Sequence, residues 1–171
     1  MTPRGTPAPV GVLFVCTGNI CRSPTAEGVF RAAVAAAGLE RRVVAASAGT
    51  HGYHVGEAPD PRSIATARRH GIDLAALRAR QVEAADFSRF RYVLAADRGH
   101  LDRLRRLAPP GATARIDLIM AFAPGQGDEL LDPYYGNQDG FEVVLRQCRA
   151  AAAGLLDHIQ RYDFAGGGDK G

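Results

Sequence analysis

The chain has 171 residues, 46% hydrophobic and 23% charged. It holds no unbroken apolar stretch near the roughly 20 residues that span a bilayer, which fits one soluble domain with a core of ordinary size and argues against a membrane role. The net charge of +3 is carried by arginines, Lys170 being the lone lysine. These arginines interleave with acids, as in RARQVEAADFSRFR, so no basic stripe suited to nucleic acid forms, while the mild positive balance favours an anionic substrate.

Residues 1–9, rich in Pro, Gly and Thr, read as a disordered lead without the apolar run and cleavage site of a signal peptide. With three cysteines, an odd number, the chain is expected to keep reduced thiols in the cytoplasm. Residues 10–163 read as one domain in which strands and helices alternate, and 164–171 as a flexible tail.

A short apolar run at 10–15 suits a buried parallel strand, and 23–37 follows as a helix. There Ser23 is expected as N-cap, Pro24 at the first helical position and Gly38 as the stop, with Glu27 favoured near the positive helix end. A second strand at 43–46 leads through a Gly/His/Pro-rich loop, 49–61, to a helix at 62–70. A helical turn at 84–89, a strand at 92–96 and a helix at 99–107 come next. APPG then breaks the chain before a fourth strand at 115–120, and the long polar loop 121–138 precedes a closing helix at 140–162. The order predicts a four-stranded, parallel, twisted α/β sheet with helices on both faces. Ligands of such sheets bind beyond the carboxyl ends of the strands, where the turn after the first strand lies.

That turn reads CTGNICRSP, from Cys16 to Pro24. Thr17, Gly18 and Asn19 let the backbone curl so that successive N–H groups face inward; Asn19 is expected in a left-handed conformation. Ile20 and Cys21 complete a nest that, with the helix dipole behind it, suits a doubly charged phosphate. Arg22 adds a planar fork for two phosphate oxygens. The same field favours a thiolate at Cys16, and Ser23 can donate a hydrogen bond to it. A phosphate cradle with a nucleophile at its base points to phosphoryl transfer through a covalent cysteine intermediate. The Cys-x4-Cys pair lacks a second pair with zinc-site spacing, and neither the order nor the lysine of a Walker loop is present.

VCTGNICRSPTAE resembles the phosphate loop of the low-molecular-weight protein tyrosine phosphatases, and the likeness continues in SAGT, YHVG, PDPR, HGI, RARQV, DRGHL and DPYYGNQDGFE. Thiolate attack on an aryl phosphate expels a phenolate that needs a proton. The polar loop offers Asp128, Glu129, Asp132 and Asp139, among which the residues alone do not choose; the resemblance implies Asp132, in Asp-Pro, as general acid and then base. It further implies an aromatic wall from Tyr53 and Tyr134, with Tyr135 beside them, and Ser47 bonding the loop asparagine. Cys21 is implied as a redox guard that traps oxidised Cys16. The chain departs from the family at Leu77, where many relatives carry a histidine that joins the loop network. Cys148 reads as core; His51, His54, His100 and His158 read as surface or capping residues, and His70 as a helix C-cap.

The expected activity is therefore that of a protein tyrosine phosphatase acting on phosphotyrosine proteins or peptides and on small aryl phosphates. Phosphate-like oxyanions are expected to inhibit it, no metal or cofactor is expected, and the protein is expected to be a monomer with at most weak self-association. Two relatives of the same fold are alternatives. Arginine phosphatases resemble it but have threonine where Ile20 stands, and arsenate reductases need a further cysteine pair after the second helix, which RARQVEAADFSRF does not supply.

Overall fold

In the computed structural model, which describes residues 7–134, 136 and 138–164, strand β1 (Val10–Cys16) is apolar throughout because both its faces are covered. Residues 1–6 of the expected lead, Tyr135 of the aromatic wall and 165–171 of the expected tail lie outside the described residues. Val12, Phe14 and Cys16 enter one layer of core with helices α1 (Arg22–Ala36) and α5 (Gln138–His158), and α2 (Pro61–Arg69) joins that layer through Ala67. Leu13 and Val15 enter the other, against Phe87 of α3 (Asp86–Arg89) and Leu101 and Leu104 of α4 (Arg98–Leu107). The strict alternation along β1 divides the molecule into its two layers.

β1 pairs in parallel with β2 (Val43–Gly49) on one side and β3 (Tyr92–Ala95) on the other, and β4 (Arg115–Leu118) closes the sheet in the order β2-β1-β3-β4. The chain thus turns one way after β1 and later returns on its other side, which makes the carboxyl end of β1 a switch point. Register places Cys16 opposite Gly49 and Val15 opposite Ala95, so the loops after β1, β2 and β3 emerge level with one another.

Local chemistry explains most element ends. Asp60 caps α2 by accepting from the N–H of Arg62 (2.8 Å), with Pro61 behind it, and Asp97 caps α4 by accepting from the N–H of His100 (2.9 Å). Gly38, at φ 71°, turns the chain out of α1. Three expectations are corrected. Ser23 is not the cap of α1; Cys21 occupies that place without a side-chain bond, because the Ser23 hydroxyl is turned to the sulfur of Cys16. The fourth strand stops at Leu118, and Ile119–Phe122 coil into a 3-10 turn that buries Ile119, Met120 and Phe122. The last helix changes at Ile159–Phe164 into a π-helical turn, where Asp163 is held by the Tyr92 hydroxyl (2.6 Å) and Arg91 (2.6 Å).

Phe30 of α1 is fully buried and meets the ring of Phe14 edge-on, with centroids 5.6 Å apart. Phe30→Ala is expected to cost about 3–5 kcal/mol, since the closely packed layer collapses only in part into the void. Urea unfolding should show a lower midpoint with an unchanged slope.

Candidate active site

Between Cys16 and Arg22 the backbone carbonyls are tied outward. The carbonyl of Cys16 accepts from the N–H of Thr50 (2.8 Å), that of Thr17 from His51 (3.0 Å) and that of Ile20 from Asp60 (2.8 Å). The peptide bonds of this loop are trans, so each N–H lies opposite the carbonyl of its own peptide unit. The amides of Thr17, Gly18 and Cys21 therefore turn to the inside of the loop. Gly49 makes this close approach possible: a Cβ there would meet the Thr17 carbonyl oxygen at 2.6 Å.

Asn19 is the hub of the loop. It sits in the left-handed region at φ 61°, as its residue type predicts, and is buried. Its Oδ1 accepts from the backbone N–H of Arg80 (3.0 Å), a group that can only donate; the Nδ2 therefore faces Ser23 (2.8 Å) and Ser47 (2.9 Å). Ser47 in turn donates to Glu27 Oε1 (2.7 Å). The Ser23 oxygen accepts from the asparagine amide and lies 3.0 Å from Cys16 Sγ and 3.4 Å from the Ala48 carbonyl; an ionised sulfur can only accept, and so takes the Ser23 hydrogen. With the sulfur ionised, one polarity runs from the Asn19 amide through Ser23 to it, with a donor facing the nucleophile. Glu27 is thus a buried partner of Ser47 and Arg31 rather than a helix-end charge; burial raises its carboxyl pKa against the pull of Ser47 and Arg31.

Arg22 is buried, and its Nη1 donates to Asp97 Oδ2 (3.0 Å) and to the Leu130 carbonyl (3.4 Å). Its Nη2 is 3.6 Å from Asp132 Oδ2. The four candidate acids separate by position. Asp128 pairs with Arg98, Glu129 accepts from the Arg98 N–H (2.8 Å), and Asp139 lies in the first turn of α5, whereas Asp132 lines a cavity of about 360 Å³. Cys16, Thr17, Gly18, Ile20, Cys21 and Arg22 also line it, and Tyr53, His54 and Tyr134 form the mouth. Tyr53 is exposed and stacks on His51 at 5.0 Å. Cys21 is buried, and burial, followed by the charges of Asp60 and Cys16, pushes its thiol up to about 12.

A family model for the low molecular weight phosphotyrosine protein phosphatases matches residues 11–163. The chain belongs to that family. A low molecular weight protein-tyrosine-phosphatase of Streptomyces coelicolor is 52% identical over 153 residues, 87% of this chain and 93% of that protein. A protein tyrosine phosphatase from Entamoeba histolytica, solved with Hepes in its active site, superposes with a TM-score of 0.86 at 31% identity, covering 90% of this chain and 99% of that one. A Drosophila arginine phosphatase superposes with a TM-score of 0.82 at 30% identity over 87% of this chain and 97% of its own.

Leu77, the expected departure from the family, leaves Asn19 fully bonded. Leu77 packs half-buried against the core, and the backbone N–H of Arg80 bonds Asn19. Asp97 and His100 are site residues that residue type alone does not single out, and His100 departs from the surface or capping place expected of it. It is buried, and its Nε2 meets Thr17 Oγ1 at 2.6 Å. Its Nδ1 lies 3.0 Å from Asp97 Oδ1 yet off the hydrogen-bond line, while that oxygen accepts from the His100 backbone N–H. DRGHL holds the signal: an acid, then a histidine three residues later, opening a helix beyond a strand end.

Burial lowers the His100 pKa despite the neighbouring Asp97 charge. The unfolded chain then takes up this proton first as pH falls, so the stability that neutral His100 carries is complete above about pH 6.5 and is lost below it. Urea midpoints should fall between pH 7.5 and 5.5, and fall less in His100→Gln.

Proposed function

We propose that the chain is a protein tyrosine phosphatase that works through a phosphocysteine intermediate. The observation that carries this reading is the convergence of the Cys16 sulfur, the Arg22 guanidinium and the Asp132 carboxylate on one cavity floored by inward-turned amides. The substrate phosphoryl group enters the loop, where Arg22 and the amides of residues 17–23 hold its oxygens. Cys16 Sγ attacks phosphorus, the bond to the aryl oxygen breaks, and Asp132 gives its proton to the departing phenolate. The Asp132 carboxylate then takes a proton from water, whose oxygen attacks phosphorus and breaks the S–P bond, releasing phosphate and the thiolate. Phosphate-like oxyanions compete for the same loop.

Ile20 at the wall with Tyr53 and Tyr134 at the mouth supports a flat aryl group and hence phosphotyrosine proteins, peptides and small aryl phosphates. Phosphoarginine is the second reading, favoured by the structural likeness to an arginine phosphatase; assaying both phosphopeptides side by side separates the two. Arsenate reduction is disfavoured because Cys148, the remaining thiol, is buried within α5. Three free thiols support a reducing compartment such as the cytoplasm. No helix among the described residues is long and apolar enough to cross a membrane. A monomer, with at most weak association through the tyrosine rim, is the expected state.

Asp132→Ala is expected to lower kcat on an aryl phosphate by about 10²–10⁴-fold, and Cys16→Ser to abolish the stoichiometric burst of phenol. An unchanged rate in Asp132→Ala removes the acid role.

Cys21 shares the loop with Cys16 and, held protonated, does not compete as nucleophile. When peroxide converts Cys16 to a sulfenic acid, the Cys21 thiol condenses with it to a disulfide and releases water. Wild-type activity lost to peroxide should return with dithiothreitol. Cys21→Ser should lose it for good.

A further inference from the structure

Arg62 lies outside the phosphate loop and does not line the cavity, yet it joins two elements that must act together. Its guanidinium forks onto Asp60, with Nε to Oδ1 at 3.0 Å and Nη2 to Oδ2 at 2.8 Å. Across 72 residues of sequence it reaches the acid loop. Nη2 donates to the Tyr134 carbonyl (3.0 Å) and Nη1 to the Gly136 carbonyl (3.5 Å). The guanidinium plane also lies over the rings of Phe141 (4.7 Å) and Tyr134 (5.7 Å).

Asp60, the near end of this strut, is anchored on the phosphate loop. Its N–H donates to the Ile20 carbonyl at 2.8 Å, and its carboxylate sits beside the Cys21 thiol. It is nine-tenths buried and also caps α2, so it has little freedom to move. The far end grips the carbonyl two residues after Asp132, while the Tyr134 N–H bonds Asp132 Oδ1 (3.2 Å). The same Tyr134 thus gives its carbonyl to Arg62 and its N–H to the carboxylate.

We propose that Arg62 is a positioning residue that fixes the height of Asp132 over the phosphate loop, and so sets how well the leaving oxygen is protonated. Only a planar fork can bind a carboxylate side-on and still reach two carbonyls; an ammonium at that place makes fewer of these bonds. A displacement of the acid loop by a fraction of an ångström leaves phosphate binding intact and costs proton transfer, which depends steeply on distance. The inference rests on the proposed acid role of Asp132, and its test separates the two.

The experiment measures kcat/KM and the inhibition constant for inorganic phosphate of the wild type, Arg62→Met, Arg62→Lys, Asp132→Ala and the Arg62→Met/Asp132→Ala double variant. Each is assayed on phenyl phosphate, whose phenolate needs a proton, and on para-nitrophenyl phosphate, whose phenolate leaves more readily. Arg62→Met keeps the stem packed on Phe141 while deleting the fork. It should lower kcat/KM on phenyl phosphate, which reports only the steps up to phenol release, by about tenfold or more, with a much smaller loss in kcat/KM on para-nitrophenyl phosphate and an unchanged inhibition constant for inorganic phosphate. Arg62→Lys should lie between Met and wild type, and the double variant should be no slower than Asp132→Ala alone. Equal losses on both substrates, or losses that multiply in the double variant, overturn the proposal. If Asp132→Ala discriminates between leaving groups and both Arg62 variants do not, the positioning role alone falls. If Asp132→Ala does not discriminate, the acid role falls and takes this inference with it.

Discussion

Three carbonyls tied outward, at Cys16, Thr17 and Ile20, are the constraint on which the site depends. A backbone that curls so tightly would ordinarily present a mixture of donors and acceptors to its interior. Here the N–H groups of Thr50, His51 and Asp60 take up the carbonyls from outside, and the loop interior is left with donors. Thr50 and His51 follow β2, and Asp60 caps α2, so the cradle is held open by the two elements that flank β1 and α1. The parallel register that sets Cys16 against Gly49 is what brings them within reach.

A cavity of this kind concentrates positive potential, and the fold manages that charge when no anion is bound. Arg22, with about 5% of its side chain exposed, is too deeply buried to stand alone, and Asp97 serves as its counter-charge. Burial works against the Asp97 charge, but the His100 amide, His100 itself and Arg22 outweigh it and hold the carboxyl below its ordinary range. Thr17, His100, Asp97 and Arg22 thereby form a second run of contacts on the side of the loop opposite Asn19. The Ser23 hydroxyl of the first run touches the sulfur, and the guanidinium of the second lines the same cavity.

The frame was legible because its signals are local. The unbroken apolar run at β1, the Gly38 stop of α1 and the left-handed Asn19 each follow from a few neighbouring residues. What escaped was set by distance in sequence. The Ser23 hydroxyl serves the sulfur rather than its own helix end because Asn19 and Ser47 arrive from elsewhere. His100 is indistinguishable from a surface histidine until α4 is docked against Thr17. The tie between Arg62 and the acid loop spans 72 residues of sequence, and PDPR by itself does not show the reach of the side chain. Leu77 reads as a lost partner only so long as side chains alone are counted; the backbone of Arg80 takes the place.

The most direct measurement is the alkylation of Cys16 by iodoacetate, itself an anion, followed by mass spectrometry with and without inorganic phosphate. The cradle described here predicts rapid, single-site labelling at Cys16, ahead of buried Cys148, and protection by phosphate. Labelling of Cys16 no faster than of Cys148, or labelling that phosphate leaves unchanged, contradicts it.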